Sequence, residues 1–181
     1  MKGRQGFGRL PHPRPDSAPA DRAPNGRPYE SVWSYPRPPE MRPESRAVTV
    51  TCGGRPIARS ERALRVCETA GAPTIYVPTA DVAAGALRRA PGKTLCEWKG
   101  SAAYFDIVVP GTDPVERAAW TYPRPTRHYA ELSDHVSFFP ALVDCRLGDE
   151  AVAPQPGGFY GGWVTAEILG PIKGEPGSEG W

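Results

Sequence analysis

Five side chains in this chain are placed to carry protons: Glu68, Tyr76, Lys99, Tyr104 and Tyr160. Lys99 is the only cation in a central stretch, Cys96-Glu97-Trp98-Lys99-Gly100-Ser101-Ala102-Ala103-Tyr104. A lysine beside Trp98 and other aromatics is expected to be partly desolvated, which lowers its pKa toward a useful range. Such a lysine serves as general base, electrostatic stabiliser or Schiff-base amine. Lys99 and Glu68 are therefore the expected catalytic pair, with Tyr104 and Tyr160 as orienting hydroxyls. A second reading is structural: a buried Lys–Glu pair with the lysine stem packed on Trp98.

Aromatic residues surround these groups in sequence. The hexapeptide Trp33-Ser34-Tyr35-Pro36-Arg37-Pro38 recurs as Trp120-Thr121-Tyr122-Pro123-Arg124-Pro125. A Gly-rich run, Pro156-Gly157-Gly158-Phe159-Tyr160-Gly161-Gly162-Trp163, follows later. The expected ligand wall takes Trp33, Tyr35, Tyr76 and Trp98 from the first part of the chain. From the second it takes Trp120, Tyr122, Gly158, Phe159 and Trp163. Glycines in such a run let a backbone approach a ligand closely, or simply make a tight turn. Tyrosine and tryptophan fill cores as well as cages. The last stretch adds a concrete expectation: Trp98, Lys99 and the run from Gly157 to Trp163 share one cavity.

Composition limits what must position these residues. At 181 residues the chain is one domain plus an extension. Mean hydropathy is negative, and neither a run of eighteen apolar residues nor an N-terminal apolar leader is present. The expectation is a cytoplasmic protein with no membrane partner. A net charge of +2 does not call for nucleic acid. Cys52, Cys67, Cys96 and Cys145 form no Cys-x-x-Cys pair, so no metal is expected and the thiols read as reduced. His12, His128 and His135 have no ligand spacing. The counts of 23 Pro and 20 Gly disfavour a helical bundle and favour short strands and turns.

In chain order, residues 1–27 are Pro-, Arg- and Gly-rich and read as a disordered arm, with the single domain spanning 28–181. Trp33 to Pro39 reads as an extended edge. Ala47 to Cys52 and Arg55 to Arg59 form a hairpin around Gly53-Gly54. Ser60 to Cys67 and Ala80 to Arg89 read as short helices, with a strand over Ile75 to Pro78 between them. Ala103 to Val109 is a strand, and Val115 to Trp120 pairs back on it. Tyr129 to Asp134 is one helical turn. A hairpin is expected from His135–Phe139 and Leu142–Leu147 around Pro140-Ala141. These elements sum to an α+β, mainly β domain with two or three short helices. The repeated hexapeptide suggests a pseudo-twofold relation between the halves; reuse of one edge solution explains it equally.

Four nucleotide or hydrolase motifs are absent. Gly92-Lys93-Thr94 lacks the glycine five positions upstream that a phosphate loop needs, because Leu87 stands there. Gly157 to Gly162 lacks the dinucleotide-binding order. Neither Asp-x-Asp nor a Gly-x-Ser-x-Gly elbow occurs.

From Arg27 to Trp181 the sequence resembles the domain-of-unknown-function 427 family of bacteria and fungi. The residues that carry the resemblance include Tyr29-Glu30-Ser31-Val32-Trp33-Ser34-Tyr35-Pro36, Ala63-Leu64-Arg65-Val66, Glu68-Thr69 and Tyr76-Val77-Pro78. Further ones are Asp81-Val82, Cys96-Glu97-Trp98-Lys99-Gly100 with Tyr104, Ala118-Ala119-Trp120, Val136-Ser137-Phe138-Phe139-Pro140 and Pro154-Gln155-Pro156 with the Gly-rich run. The resemblance implies a compact strand-rich fold similar to the β-tent. Zinc-binding β-tents use Cys-x-x-Cys pairs, which this chain lacks. The family is sometimes labelled nucleotidyltransferase, a chemistry for which the chain shows neither Asp-x-Asp nor phosphate loop.

The functional expectation is a small enzyme performing acid–base chemistry on a small organic molecule in an aromatic-lined pocket, of lyase, isomerase or cyclase type. No metal or nucleotide cofactor is expected, and a homodimer is a further candidate assembly. The rivals are a non-catalytic binding module with the same cage, and a protein-interaction domain that uses the Pro-Arg-Pro edges.

Overall fold

A computed structural model describes residues 21–181. Fifteen strands run through the described residues. In the first half they are β1 (Glu30–Ser31), β2 (Glu40–Pro43), β3 (Val48–Cys52), β4 (Arg55–Ser60), β5 (Leu64–Cys67), β6 (Thr74–Pro78) and β7 (Leu87–Cys96). Then follow β8 (Gly100–Ile107), β9 (Val115–Thr121), β10 (His135–Phe138), β11 (Asp144–Leu147), β12 (Glu150–Ala151), β13 (Ala153–Pro154), β14 (Trp163–Val164) and β15 (Ile168–Leu169). Three 3₁₀ segments, Val32–Ser34, Thr79–Asp81 and Arg127–Asp134, supply the helical content. The domain is mainly β. No helix among the described residues is long and apolar enough to cross a membrane.

A seven-stranded sheet with order β2-β5-β6-β10-β9-β8-β7 is the frame, and a four-stranded sheet, β12-β11-β3-β4, accompanies it. The two-residue period of a strand sends neighbours to opposite faces. In β6, Ile75 and Val77 join Val48 and Val50 of β3 in one core, while Tyr76 points to the other face. In β9, Ala119 faces the first core and Trp120 the second; in β10, Val136 and Phe138 face the first. The first core is apolar and lies between the two sheets. The opposite face of the large sheet gathers Val66, Tyr76, Ala102, Trp120, Tyr122 and, from the last 3₁₀ segment, Tyr129. That face carries the cavity described below.

The hairpin around Gly53-Gly54 forms as expected, with both glycines at positive φ (+55° and +74°), the conformation a two-residue turn between twisted strands needs. Four local expectations are corrected. Ser60 to Cys67 is not helical: β5 lies between β2 and β6, so sheet pairing overrides the helical spacing of Ala63, Leu64 and Cys67. Ala80 to Arg89 is not a helix but a 3₁₀ turn followed by the start of β7. Pro91-Gly92 then sits inside β7 at a register shift, tolerated because β7 is an edge strand. His135–Phe138 and Asp144–Leu147 do not form a hairpin. β10 pairs with β6 and β9, β11 pairs with β3 and β12, and the link between them crosses from one sheet to the other.

The two hexapeptides are not structural equivalents, because the first lies in a 3₁₀ turn and extended segment while the second completes β9. Reuse of a sequence, not a repeated unit, accounts for them.

Order begins before Pro28. Ala23 is buried, and Asn25 Nδ2 donates to Glu150 Oε2 and Glu167 Oε2, each at 2.7 Å. Burial of these carboxylates supplies partners that the composition of the segment did not reveal. The rest of the expected arm, residues 1–20, lies outside the described residues.

Candidate functional site

Lys99 is set by a hairpin. Strands β7 and β8 pair out to Cys96 and Gly100, leaving Glu97, Trp98 and Lys99 as the connection. Gly100 has φ +97°, a conformation that L side chains rarely adopt. Thr126 then pins the loop: its backbone N donates to Lys99 O at 3.1 Å and its Oγ1 to Trp98 O at 2.6 Å. As a result the Lys99 side chain is only 6 % exposed, and its Nζ donates to Glu68 Oε2 at 3.2 Å. Glu68 follows directly after β5 and is 44 % exposed.

Both residues line a cavity of about 440 Å³. Its inner wall is aromatic. Trp120 Nε1 donates to Tyr76 OH at 3.3 Å, and the two rings meet edge to face with centroids 6.0 Å apart. Phe139 packs against Trp120 at 4.4 Å. Tyr122 lies 6.3 Å from Tyr76, and the Lys99 ammonium sits 5.9 Å from its ring centroid. Tyr104 reaches the wall from β8, its hydroxyl 2.7 Å from Thr94 Oγ1 and its ring under the Arg117 guanidinium at 3.9 Å. The outer wall is the Gly-rich run, where Tyr160 lies under Lys173 Nζ at 5.3 Å and Phe159 stands 71 % exposed at the rim.

Two glycines make this wall possible. A Cβ at Gly161 would overlap the Trp120 ring, and one at Gly162 would overlap Gln155 Oε1. Gln155 is buried and ties three segments together. Its Oε1 accepts from Ala72 N at 3.0 Å, its Nε2 donates to Lys173 O at 2.8 Å, and its backbone N donates to Gly162 O at 3.0 Å.

The cavity thus brings together all four residues expected to be catalytic, Glu68, Lys99, Tyr104 and Tyr160, and five of the expected wall, Tyr76, Trp98, Trp120, Tyr122 and Phe159. The other four lie outside its lining. Trp163 faces the apolar core, where its Nε1 donates to Phe138 O at 3.0 Å. Position 163 therefore marks where the Gly-rich run turns inward, so the expected shared cavity ends at Gly162. Tyr35 is turned into a charge cluster, donating to Glu30 Oε2 at 2.9 Å and accepting from Arg65 Nη2 at 3.2 Å. Trp33 packs behind the wall against Trp181, which itself lines the cavity. Gly158 occupies a positive-φ turn beside it. Sequence reasoning missed Cys96, Phe139 and Gln155, although each lies within a stretch that carries the family resemblance. It also missed Arg37, although it stands in the first hexapeptide, and Lys173, which no local pattern distinguishes from solvated surface.

The electrostatics differ from expectation on one point. Burial alone disfavours the charge on Lys99, but Tyr76, Glu68 and Cys96 around it outweigh burial. The pKa of Lys99 is raised above the ordinary lysine range, not lowered. The side chain is an ammonium at neutral pH that holds its proton tightly, which suits it to charge stabilisation and not to the acid, base or Schiff-base roles. Burial raises the Tyr76 and Tyr122 hydroxyls, so both are neutral at neutral pH, and the charge that faces the Lys99 ammonium there is the Glu68 carboxylate. Among the described residues no three His, Cys, Asp or Glu side chains gather as a metal site.

No curated protein resembles the chain closely enough to count as a relative. Residues 40–148, from β2 through β11 and including Glu68 and Lys99, match the family described as a domain of unknown function, DUF427, and the chain belongs to that family.

Proposed function

We propose that the cavity binds a small, flat organic molecule and performs acid–base chemistry on it. The observation that carries this reading is Lys99: a buried ammonium on the wall of an aromatic cavity, beside a half-exposed carboxylate. In this reading a carbonyl or carboxylate oxygen of the ligand rests on the ammonium. Glu68 removes a proton from the neighbouring carbon, and the electron pair of that C–H bond moves onto the oxygen as negative charge. Lys99 stabilises that charge, as a preorganised cation in a water-poor site does. Return of the proton to the same or a conjugated carbon completes an exchange or isomerisation. Tyr104 and Tyr160 orient the ligand by their hydroxyls. The chain's own residues supply every group this step uses.

The test is proton exchange in D₂O followed by NMR, with a panel of small aryl ketones and arylacetates. The reading expects deuterium to enter the carbon next to the carbonyl or carboxylate with the wild-type protein and not with Glu68→Gln. Binding without exchange would leave the non-catalytic binding module in its place. No binding by any member of the panel would contradict both.

A further inference from the structure

We propose that the ligand of this cavity is an aromatic carboxylate, held by its carboxylate on Lys99 with its ring against Tyr122, Trp120 and Phe139. The inference rests on the reading of the cavity as a ligand site and adds the charge and shape of what enters it.

An ammonium has three donors. Among the described residues Lys99 Nζ makes one hydrogen bond, to Glu68 Oε2. Tyr76 OH lies in the same wall and accepts from Trp120 Nε1, and Lys99 Nζ makes no hydrogen bond to it. Two donors of a side chain that is 94 % buried are therefore without an acceptor among these residues. A buried charged donor left so is costly, and an acceptor arriving in the cavity relieves that cost. An acceptor with two oxygens and a negative charge relieves it best, because charge-assisted hydrogen bonds are roughly twice as strong as neutral ones.

The rest of the lining agrees in sign. Arg37, Lys99 and Lys173 are positive, and Glu68 and Glu97 are negative, so the lining side chains sum to plus one. Glu68 is already committed to Lys99. Arg37 and Lys173 form no ion pair among the described residues, and Lys173 rests on the face of Tyr160. These two cations attract an anion toward the site.

Shape follows from the wall. Trp120 and Phe139 pack at 4.4 Å with Tyr76 and Tyr122 beside them, and a flat apolar body buries well against such rings. A cavity of about 440 Å³ accommodates a one- or two-ring molecule.

Three near-isosteric probes separate charge from shape: 2-naphthylacetate, 2-naphthylacetamide and 2-(2-naphthyl)ethylamine, each titrated calorimetrically into the full chain at neutral pH. The carboxylate is expected to bind about tenfold tighter than the amide, the worth of one charge-assisted contact, and tighter still than the amine. Lys99→Met brings the carboxylate to the level of the amide. Glu68→Gln removes the competing carboxylate, so it tightens 2-naphthylacetate and weakens the amine. Tightest binding of the amine, or equal binding of all three, overturns the charge assignment while leaving the cavity a ligand site. Binding by none of the three at millimolar concentration overturns the ligand-site reading as well. A Glu68→Gln protein that binds 2-naphthylacetate more weakly than wild type also overturns the assignment, whatever becomes of Lys99→Met.

Discussion

Two clusters of buried charge lie in this domain, and they are built differently. One joins Arg65 and Glu44, both almost wholly buried, to Arg46 and Glu167. Glu44 accepts from Arg46 through its backbone N, Nε and Nη2 at 3.0, 2.9 and 3.1 Å. Arg65 Nη2 donates to Glu30 Oε2 at 2.6 Å and Nε to Cys67 Sγ at 3.3 Å. Arg46 Nη1 lies 3.0 Å from Glu167 Oε1, with Asn25 on the second oxygen. Every charge there faces an opposite charge, although Arg46 Nη1 and Glu167 Oε1 meet as an ion pair without a hydrogen bond. The other cluster is Lys99 with Glu68, one contact beside an open cavity. A closed network fixes the chain; an under-coordinated cation beside a void holds capacity for something else. The difference separates a charge kept for the fold from one kept for a ligand.

Breaking the closed network has the largest expected effect. Arg65→Met takes one partner each from Glu44 and Glu30, which keep Arg46 and Arg42, and urea unfolding should show a loss at the lower end of about 3–5 kcal/mol. A loss below about 1 kcal/mol would mean the network is not structural. Next in size is Asn25→Ala. It removes a donor from two carboxylates, and a loss of about 1–3 kcal/mol is expected by the same measurement. No change would return the segment before Pro28 to a dispensable arm.

On the cavity side, Gly161→Ala forces a Cβ into the Trp120 ring, so a loss at the lower end of about 1–3 kcal/mol is expected, with altered tryptophan fluorescence. An unchanged spectrum and stability would show that the outer wall is looser than described.

Acid weakens the closed network. Burial would raise Glu44 and Glu167, but hydrogen bonding outweighs it, chiefly from Arg46 for Glu44 and from Thr165 for Glu167, and both are lowered from 4.5. Groups with depressed folded pKa values stabilise fully above the unfolded value, and that contribution is lost as pH falls through the folded one. Thermal melts should hold level near neutral pH and decline below about pH 4.5, with a flatter decline in Arg46→Met.

How much of this was legible in the sequence depended on the kind of signal. Val48-Thr49-Val50 alternates, and Gly53-Gly54 turns it, so β3 and β4 were readable. Ala63, Leu64 and Cys67 fit a helical face as well as a strand, and only the neighbours β2 and β6 decide for the strand. Pro91-Gly92 reads as a stop, yet an edge strand accommodates it. Lys99, Glu68 and the Gly-rich run stood out by residue type, and folding brings them to one face. Trp163 could not be separated from Phe159 and Tyr160 by type alone, because the direction of a side chain in a Gly-rich segment is set by backbone torsions that glycine leaves open. The sign of the Lys99 shift depends on Tyr76 and Glu68, which folding brings to Lys99 from β6 and the end of β5.

The contrast between the two clusters rests on Lys99, and one measurement addresses it: urea unfolding of wild type and Lys99→Met at neutral pH, each with and without saturating 2-naphthylacetate. Without ligand the two should differ by less than about 1 kcal/mol, because Glu68 is half exposed and water solvates it when its partner is gone. With ligand at 100 times its dissociation constant, wild type should gain about 2.7 kcal/mol and Lys99→Met distinctly less. A loss of about 3 kcal/mol in unliganded Lys99→Met would place Lys99 with Arg65 among the charges kept for the fold, and equal stabilisation of both proteins by the ligand would deny Lys99 its part in binding.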